Sequence, residues 1–85
     1  MIGEKMQDAL NDQVVAELYS AYLYLSMSAY FSSINLACFA NWMRVQAKEE
    51  LAHALKFYGF LNDRGGRVVL EAIEAPPRDW ESPLG

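Results

Sequence analysis

Apolar residues recur along two stretches of this chain at alternating spacings of four and three positions. This spacing places them on one face of an α-helix. The first stretch covers residues 4–33 and the second covers residues 36–64, with Asn35 at the break between them. Gly65 follows the second stretch, and glycine is the commonest residue just past a helix end. The pattern therefore predicts two long helices joined by a very short turn.

The remaining residues, 65–85, carry no helical pattern. Residues 67–73 are rich in β-branched side chains and leucine, which favours an extended backbone. Pro76 and Pro77 exclude helix and keep the chain stretched. Two long helices with a short turn must lie antiparallel. We predict an all-α fold, a two-helix antiparallel hairpin with an extended tail, forming a single domain over residues 1–85.

The chain contains more apolar residues than one helical pair can bury, since 53% of its residues are hydrophobic and 13% are aromatic. Association with a second copy is the simplest way to cover this surface. We expect at least a homodimer, in which two hairpins form a four-helix bundle.

Charge and cysteine content narrow the class of protein. The net charge of −4 argues against a nucleic-acid partner and favours cations. The single cysteine, Cys38, permits no internal disulfide, which suits the reducing interior of a cell. The uncharged span from Leu18 to Met43 contains seven serine and asparagine residues and the turn, so we expect no membrane helix. We therefore expect a cytoplasmic protein.

Three polar residues interrupt the apolar stripe of the second helix, namely Gln46, Glu50 and His53. Glu17 interrupts the matching stripe of the first helix. In an antiparallel pair, residues at one height have position numbers with a nearly constant sum. The midpoint in sequence between Glu17 and Glu50, and that between Glu17 and His53, both fall at the predicted turn. These three side chains should therefore lie at one height in the hairpin. Unpaired polar groups on a buried stripe cost several kcal/mol, and a bound metal ion would remove that cost.

Two carboxylates and one imidazole suit iron(II), manganese(II) or zinc. A two-fold dimer would supply Glu17, Glu50 and His53 twice, which is the ligand set of the di-iron carboxylate bundles. Gln46 could hydrogen-bond a metal-ligating side chain and hold it in place. It could equally be a side-chain amide on the stripe whose hydrogen bonds are made elsewhere. Without a metal, His53 would be a core histidine bonded to a carbonyl, and Glu17 would face solvent.

Three stretches together cover nearly the whole chain and resemble the non-haem ferritins of bacteria and archaea: ALNDQVVAELYSAYLYLSM, FANWMRVQAKEELAHALKFY and DRGGRVVLEAIEAPPRDW. By this resemblance, Glu17, Glu50 and His53 match the family's ferroxidase ligands on its first two helices. Tyr24 matches a tyrosine beside that centre which takes part in iron oxidation. Glu49 matches a ligand of an additional iron site found in some members.

The resemblance covers the first two of the family's four long helices, so we expect a half-ferritin whose dimer regenerates the bundle. It implies a ferroxidase that binds two iron ions per hairpin dimer and oxidises iron(II) to iron(III) with O2 or peroxide, and that would feed iron storage. Other divalent metals could substitute for iron. The alternatives are a non-catalytic ferritin fragment that serves as a self-assembly module, and a zinc or manganese site without redox chemistry.

Overall fold

The computed structural model describes residues 2–80, in which the chain forms two long helices. Helix α1 spans Glu4–Ser33 and helix α2 spans Ala37–Asp63, and the two pack against each other. No strand occurs within residues 2–80. The prediction of an all-α hairpin is confirmed, although α2 is one residue shorter at each end than expected. Residues 81–85 of the predicted tail lie outside the described part.

Both helices end in the same way. Beyond α1, Asn35 has a φ of 63°, and beyond α2, Gly65 has a φ of 76°. The Leu36 N–H donates to the Phe31 carbonyl at 2.8 Å, and the Gly66 N–H donates to the Leu61 carbonyl at 2.9 Å. This is the Schellman arrangement, which needs a left-handed residue just past the helix. Asparagine and glycine are the residues that adopt that conformation most readily, so these two positions set the reversal after α1 and the stop after α2.

The contact between the helices is a narrow strip of buried side chains. Small residues allow the backbones to approach, and larger ones fill the two ends. The buried set is Val14, Ala21, Phe31, Met43, Ala47, Ala54 and Leu61. Near the turn, the Phe31 and Phe39 rings lie 5.6 Å apart between centroids, which forms the apolar layer that closes this end of the hairpin.

The tail begins at the open end of the hairpin and is fixed there to α1. The Gln7 side-chain oxygen accepts a hydrogen bond from the Arg67 N–H at 2.9 Å. The Asn11 carboxamide donates to the Arg67 carbonyl at 3.0 Å and accepts from the Val69 N–H at 2.9 Å. Side-chain amides of α1 thus satisfy backbone groups that a strand would pair with another strand.

Further along, the tail is held near the turn. The Ser26 hydroxyl donates to the Pro77 carbonyl, and the Tyr30 hydroxyl donates to the Trp80 carbonyl, both at 2.6 Å. The Tyr30 and Trp80 rings meet edge to face at 5.3 Å. The tail therefore follows α1 from its first turns almost to its end, on a flank away from α2.

The hairpin is elongated, about 50 Å long and 20 Å wide. The chain exposes 6184 Å² of surface, whereas a compact monomer of 9.6 kDa exposes about 5,100 Å². The excess, about 1,000 Å², is comparable with the ~800 Å² that one partner buries in a standard interface. Neither helix has an apolar window of the length and hydropathy needed to cross a bilayer.

Candidate metal centre

Glu17, Glu50 and His53 meet between the two helices, as expected for residues at one height in an antiparallel pair. Each offers one ligand atom, and these atoms all lie within 4.8 Å of one another. His53 Nδ1 is 3.7 Å from Glu17 Oε2 and 3.7 Å from Glu50 Oε2. Ligand atoms of one metal at about 2.1 Å are separated by roughly 3.0–3.4 Å, so a small inward movement of the imidazole is enough for joint coordination.

The helix geometry explains why these three side chains converge. Glu50 and His53 are three positions apart and therefore share one face of α2. Glu17 comes from α1 at the same height, because the turn at Asn35 sets the register between the helices. The same register brings apolar residues together on both sides of these three. The Phe31 and Phe39 rings meet toward the turn, and Leu10 and Phe57 line one cavity toward the open end.

Glu17 and Glu50 face each other across the site, with ligand oxygens within 4.8 Å of each other. Their interaction lowers the pKa of Glu17, and the hydrogen bond from Gln13 and the electrostatic influence of His53 act in the same direction. The same contact raises the pKa of Glu50 above its ordinary value of 4.5, assisted by partial burial and by the negative charge of Glu17. The pair therefore keeps one proton to higher pH than an isolated glutamate, and a divalent cation would displace it.

This arrangement predicts that repulsion between the Glu17 and Glu50 carboxylates destabilises the metal-free hairpin at neutral pH. A carboxyl group whose pKa is raised by folding stabilises the fold at low pH, and this contribution is lost as the pH rises through the folded pKa. Glu50→Gln keeps a hydrogen-bond donor and removes the charge. We expect it to raise the thermal unfolding midpoint in EDTA at pH 7, with the advantage vanishing at about pH 4.

The measurement is circular dichroism at a fixed protein concentration, at both pH values. Glu71→Gln, which neutralises an exposed carboxylate on the tail, is the matched control and should leave the midpoint unchanged. A Glu50→Gln variant less stable than the parent at pH 7 would contradict the repulsion argument.

Gln13 also contacts this group, although the pattern of polar positions does not single it out. Its Nε2 donates to Glu17 Oε1 at 3.1 Å. The only signal in the sequence is its position four residues before Glu17, which puts both on one helix face. Many exposed glutamines have such a neighbour, so the contact could be recognised only once the side-chain positions were known.

Three other residues were singled out from the sequence as neighbours of this group. Tyr24 and Gln46 are partly buried, and Glu49 is exposed. Glu49 is the carboxylate among them, and within residues 2–80 it does not join the group of possible ligands. The candidate site thus consists of three converging side chains, while the other candidates lie within two turns of them on the same helices.

The site is open on one side. The His53 side chain is 51% exposed, whereas the Glu17 and Glu50 side chains are 17% and 22% exposed. Large apolar side chains on the same face of α2 are also exposed: Phe39 at 44%, Trp42 at 59% and Phe60 at 42%. Exposed apolar side chains around the three converging polar groups mark a face that another protein surface could cover.

The structure is thus an antiparallel helix pair whose two helices bring together two carboxylates and one imidazole that could hold a metal ion. A family model described as a ferritin-like domain matches residues 7–85. The bacterial non-heme ferritin of Bacteroides fragilis (strain 638R) is 43% identical over 84 residues, covering 99% of this chain and 53% of the relative. That of Staphylococcus aureus (strain USA300) is 39% identical over 84 residues, covering 99% of this chain and 51% of the relative.

Comparison with solved structures also finds ferritins. An engineered closed form of the Archaeoglobus fulgidus ferritin matches with a TM-score of 0.96 at 62% identity, covering 99% of this chain and 51% of that one. The open pore ferritin of the same archaeon matches with a TM-score of 0.95 at 63% identity, covering 98% and 51%. The chain belongs to the ferritin family, which confirms the resemblance drawn from its sequence. It spans about half the length of these relatives.

Proposed function

We propose that this chain binds iron(II) as its substrate and oxidises it at a dinuclear site formed between two copies of the hairpin. The convergence of Glu17, Glu50 and His53 carries the proposal. Carboxylate and imidazole ligands alone fit iron(II), manganese(II) and zinc alike. Membership of the ferritin family favours iron and a contribution to iron storage.

A second hairpin would complete the site. One copy supplies three ligands, which is half of the set found in di-iron carboxylate bundles. Two copies supply four carboxylates, whose charge balances two divalent cations. The exposure of His53 and of the apolar residues around it supports this pairing, and self-association is consistent with the oligomeric nature of ferritins. Binding of metal and binding of the second copy would then stabilise each other.

Each ligand has a distinct part in this proposal. Glu50 would bridge the two ions, because the two-fold axis would bring the two Glu50 side chains together. Glu17 and His53 would be terminal ligands, and His53 presents Nδ1 to both carboxylates. Each iron(II) supplies one electron, and O2 or peroxide accepts the pair. The chain contributes positioning and charge neutralisation.

Three further residues have proposed parts; those of Tyr24 and Glu49 rest on the family resemblance, and that of Gln46 rests on its spacing from Glu50. Tyr24 lies one heptad from Glu17 toward the turn and would take part in iron oxidation. Glu49, exposed beside Glu50, would belong to an additional iron site. Gln46 lies one turn from Glu50 and would support that ligand by hydrogen bonding when the bundle is assembled.

A second candidate function is a self-assembly module without turnover, which is favoured by the match to only about half the length of the relatives. Iron(II) added without oxygen, followed by native mass spectrometry, separates the two. The proposed function predicts a species of two chains carrying two irons, and a rise in ferric absorbance when air is admitted. Dimers that bind no iron stoichiometrically would support the assembly module, and zinc or manganese in the purified protein without ferric absorbance would support a redox-silent site.

A further inference from the structure

The two oxygens of the Glu17 carboxylate have different neighbours. Oε1 accepts the hydrogen bond from Gln13 Nε2 at 3.1 Å. Oε2 lies 3.7 Å from His53 Nδ1 and faces the space between the three ligands. A glutamate side chain has three rotatable bonds, so without such a contact either oxygen, or both together, could turn toward the metal.

We propose that Gln13 is a positioning residue, whose carboxamide engages Oε1 of Glu17 and thereby presents Oε2 alone to the metal ion. This inference rests on the proposed function, since it assumes that Glu17 is a ligand. Groups that support a ligand from behind fix its orientation, and their loss typically weakens metal binding by about 10–100-fold.

The chemistry of the carboxamide suits this position. It donates a hydrogen bond without adding a charge beside a cation, whereas a lysine would repel the metal and a glutamate would repel Glu17. The length of the glutamine side chain also fits. Residues four apart on a helix are neighbours, and the side chain of Gln13 is long enough to bring its amide to the Glu17 carboxylate. Asparagine at this position would have the same donor one methylene too short.

Cobalt(II) is the probe for this proposal, because its visible absorption reports on ligand number and geometry and needs no turnover. The variants are Gln13→Met, which keeps the length and loses the donor, and Gln13→Asn, which keeps the donor and loses the reach. Titration without iron should show cobalt(II) binding about tenfold weaker in both variants, with an altered spectrum. Gln13 is exposed, so the metal-free thermal unfolding midpoint should stay close to that of the parent.

Lys48→Met, an exposed polar-to-methionine change elsewhere on α2, is the control and should change neither affinity nor spectrum. Unchanged cobalt(II) affinity and spectrum in both Gln13 variants would overturn the inference, and would reduce the contact to an ordinary pair on a helix surface. Glu17→Gln separates this from the proposed function. If it loses cobalt(II) binding while Gln13→Met does not, only the role of Gln13 fails, and if Glu17→Gln binds normally, the proposed centre fails as well.

Discussion

Glu50→Ala and His53→Ala should each lose the ferric absorbance that follows addition of iron(II) in air. We expect the initial rate to fall at least about 100-fold, equivalent to roughly 2.7 kcal/mol of transition-state free energy. The effect is large because each substitution acts twice in a symmetric dimer. Loss of Glu50 removes both proposed bridging carboxylates, and loss of His53 leaves each ion with oxygen ligands only.

The control for these variants is the removal of a carboxylate that lies away from the cluster. Glu71→Ala changes the net charge by the same amount as Glu50→Ala, and Glu71 is exposed on the tail, outside the cluster of three. Its rate should equal that of the parent chain. If Glu50→Ala and His53→Ala oxidise iron(II) at the rate of Glu71→Ala, then the cluster is not the catalytic site, whatever else binds iron.

Phe60→Glu should prevent the two hairpins from pairing and should therefore abolish oxidation without touching a ligand. Phe60 is 42% exposed on the same face of α2 as His53, two turns further along. Complete burial of a phenylalanine side chain contributes about 1.5–3 kcal/mol. Pairing can bury at most the remaining 42% of Phe60, roughly 0.6–1.3 kcal/mol or a 3–8-fold change for each copy, and a glutamate charge buried in its place adds a desolvation cost of several kcal/mol. Sedimentation at increasing protein concentration, with and without iron(II), measures the change.

Leu55→Glu is the matched control for this experiment. Leu55 is 58% exposed, but its position on the helix puts it on the other flank of α2, away from the ligands. A charge there should leave the dimer and its iron oxidation intact. If Leu55→Glu breaks the dimer and Phe60→Glu does not, then the hairpins pair through the opposite face and the shared site cannot form.

The register of the hairpin could be predicted from sequence because it depends on few variables. Helical periodicity fixes which residues share a face, and the position of the turn fixes which residues share a height. Asn35 supplies the left-handed residue that the turn needs. With these two facts, the convergence of Glu17, Glu50 and His53 follows without any knowledge of side-chain conformations.

Contacts that depend on rotamers or on distant parts of the chain could not be predicted in this way. The hydrogen bond from Gln13 depends on the torsions of two flexible side chains. The path of the tail depends on Asn11 meeting the backbone of Arg67 and Val69, which are 56 and 58 residues away. Neither contact leaves a periodic signal, because neither recurs along a helix.

By itself, then, the sequence determined the two helices, the turn between them and the three polar residues at one height, because all of these follow from local periodicity and one break. Only the tertiary structure decided which oxygen of Glu17 faces the other ligands, which flank of α1 the tail covers, and which apolar residues remain exposed beside His53. These features arise from packing among side chains that local spacing does not constrain.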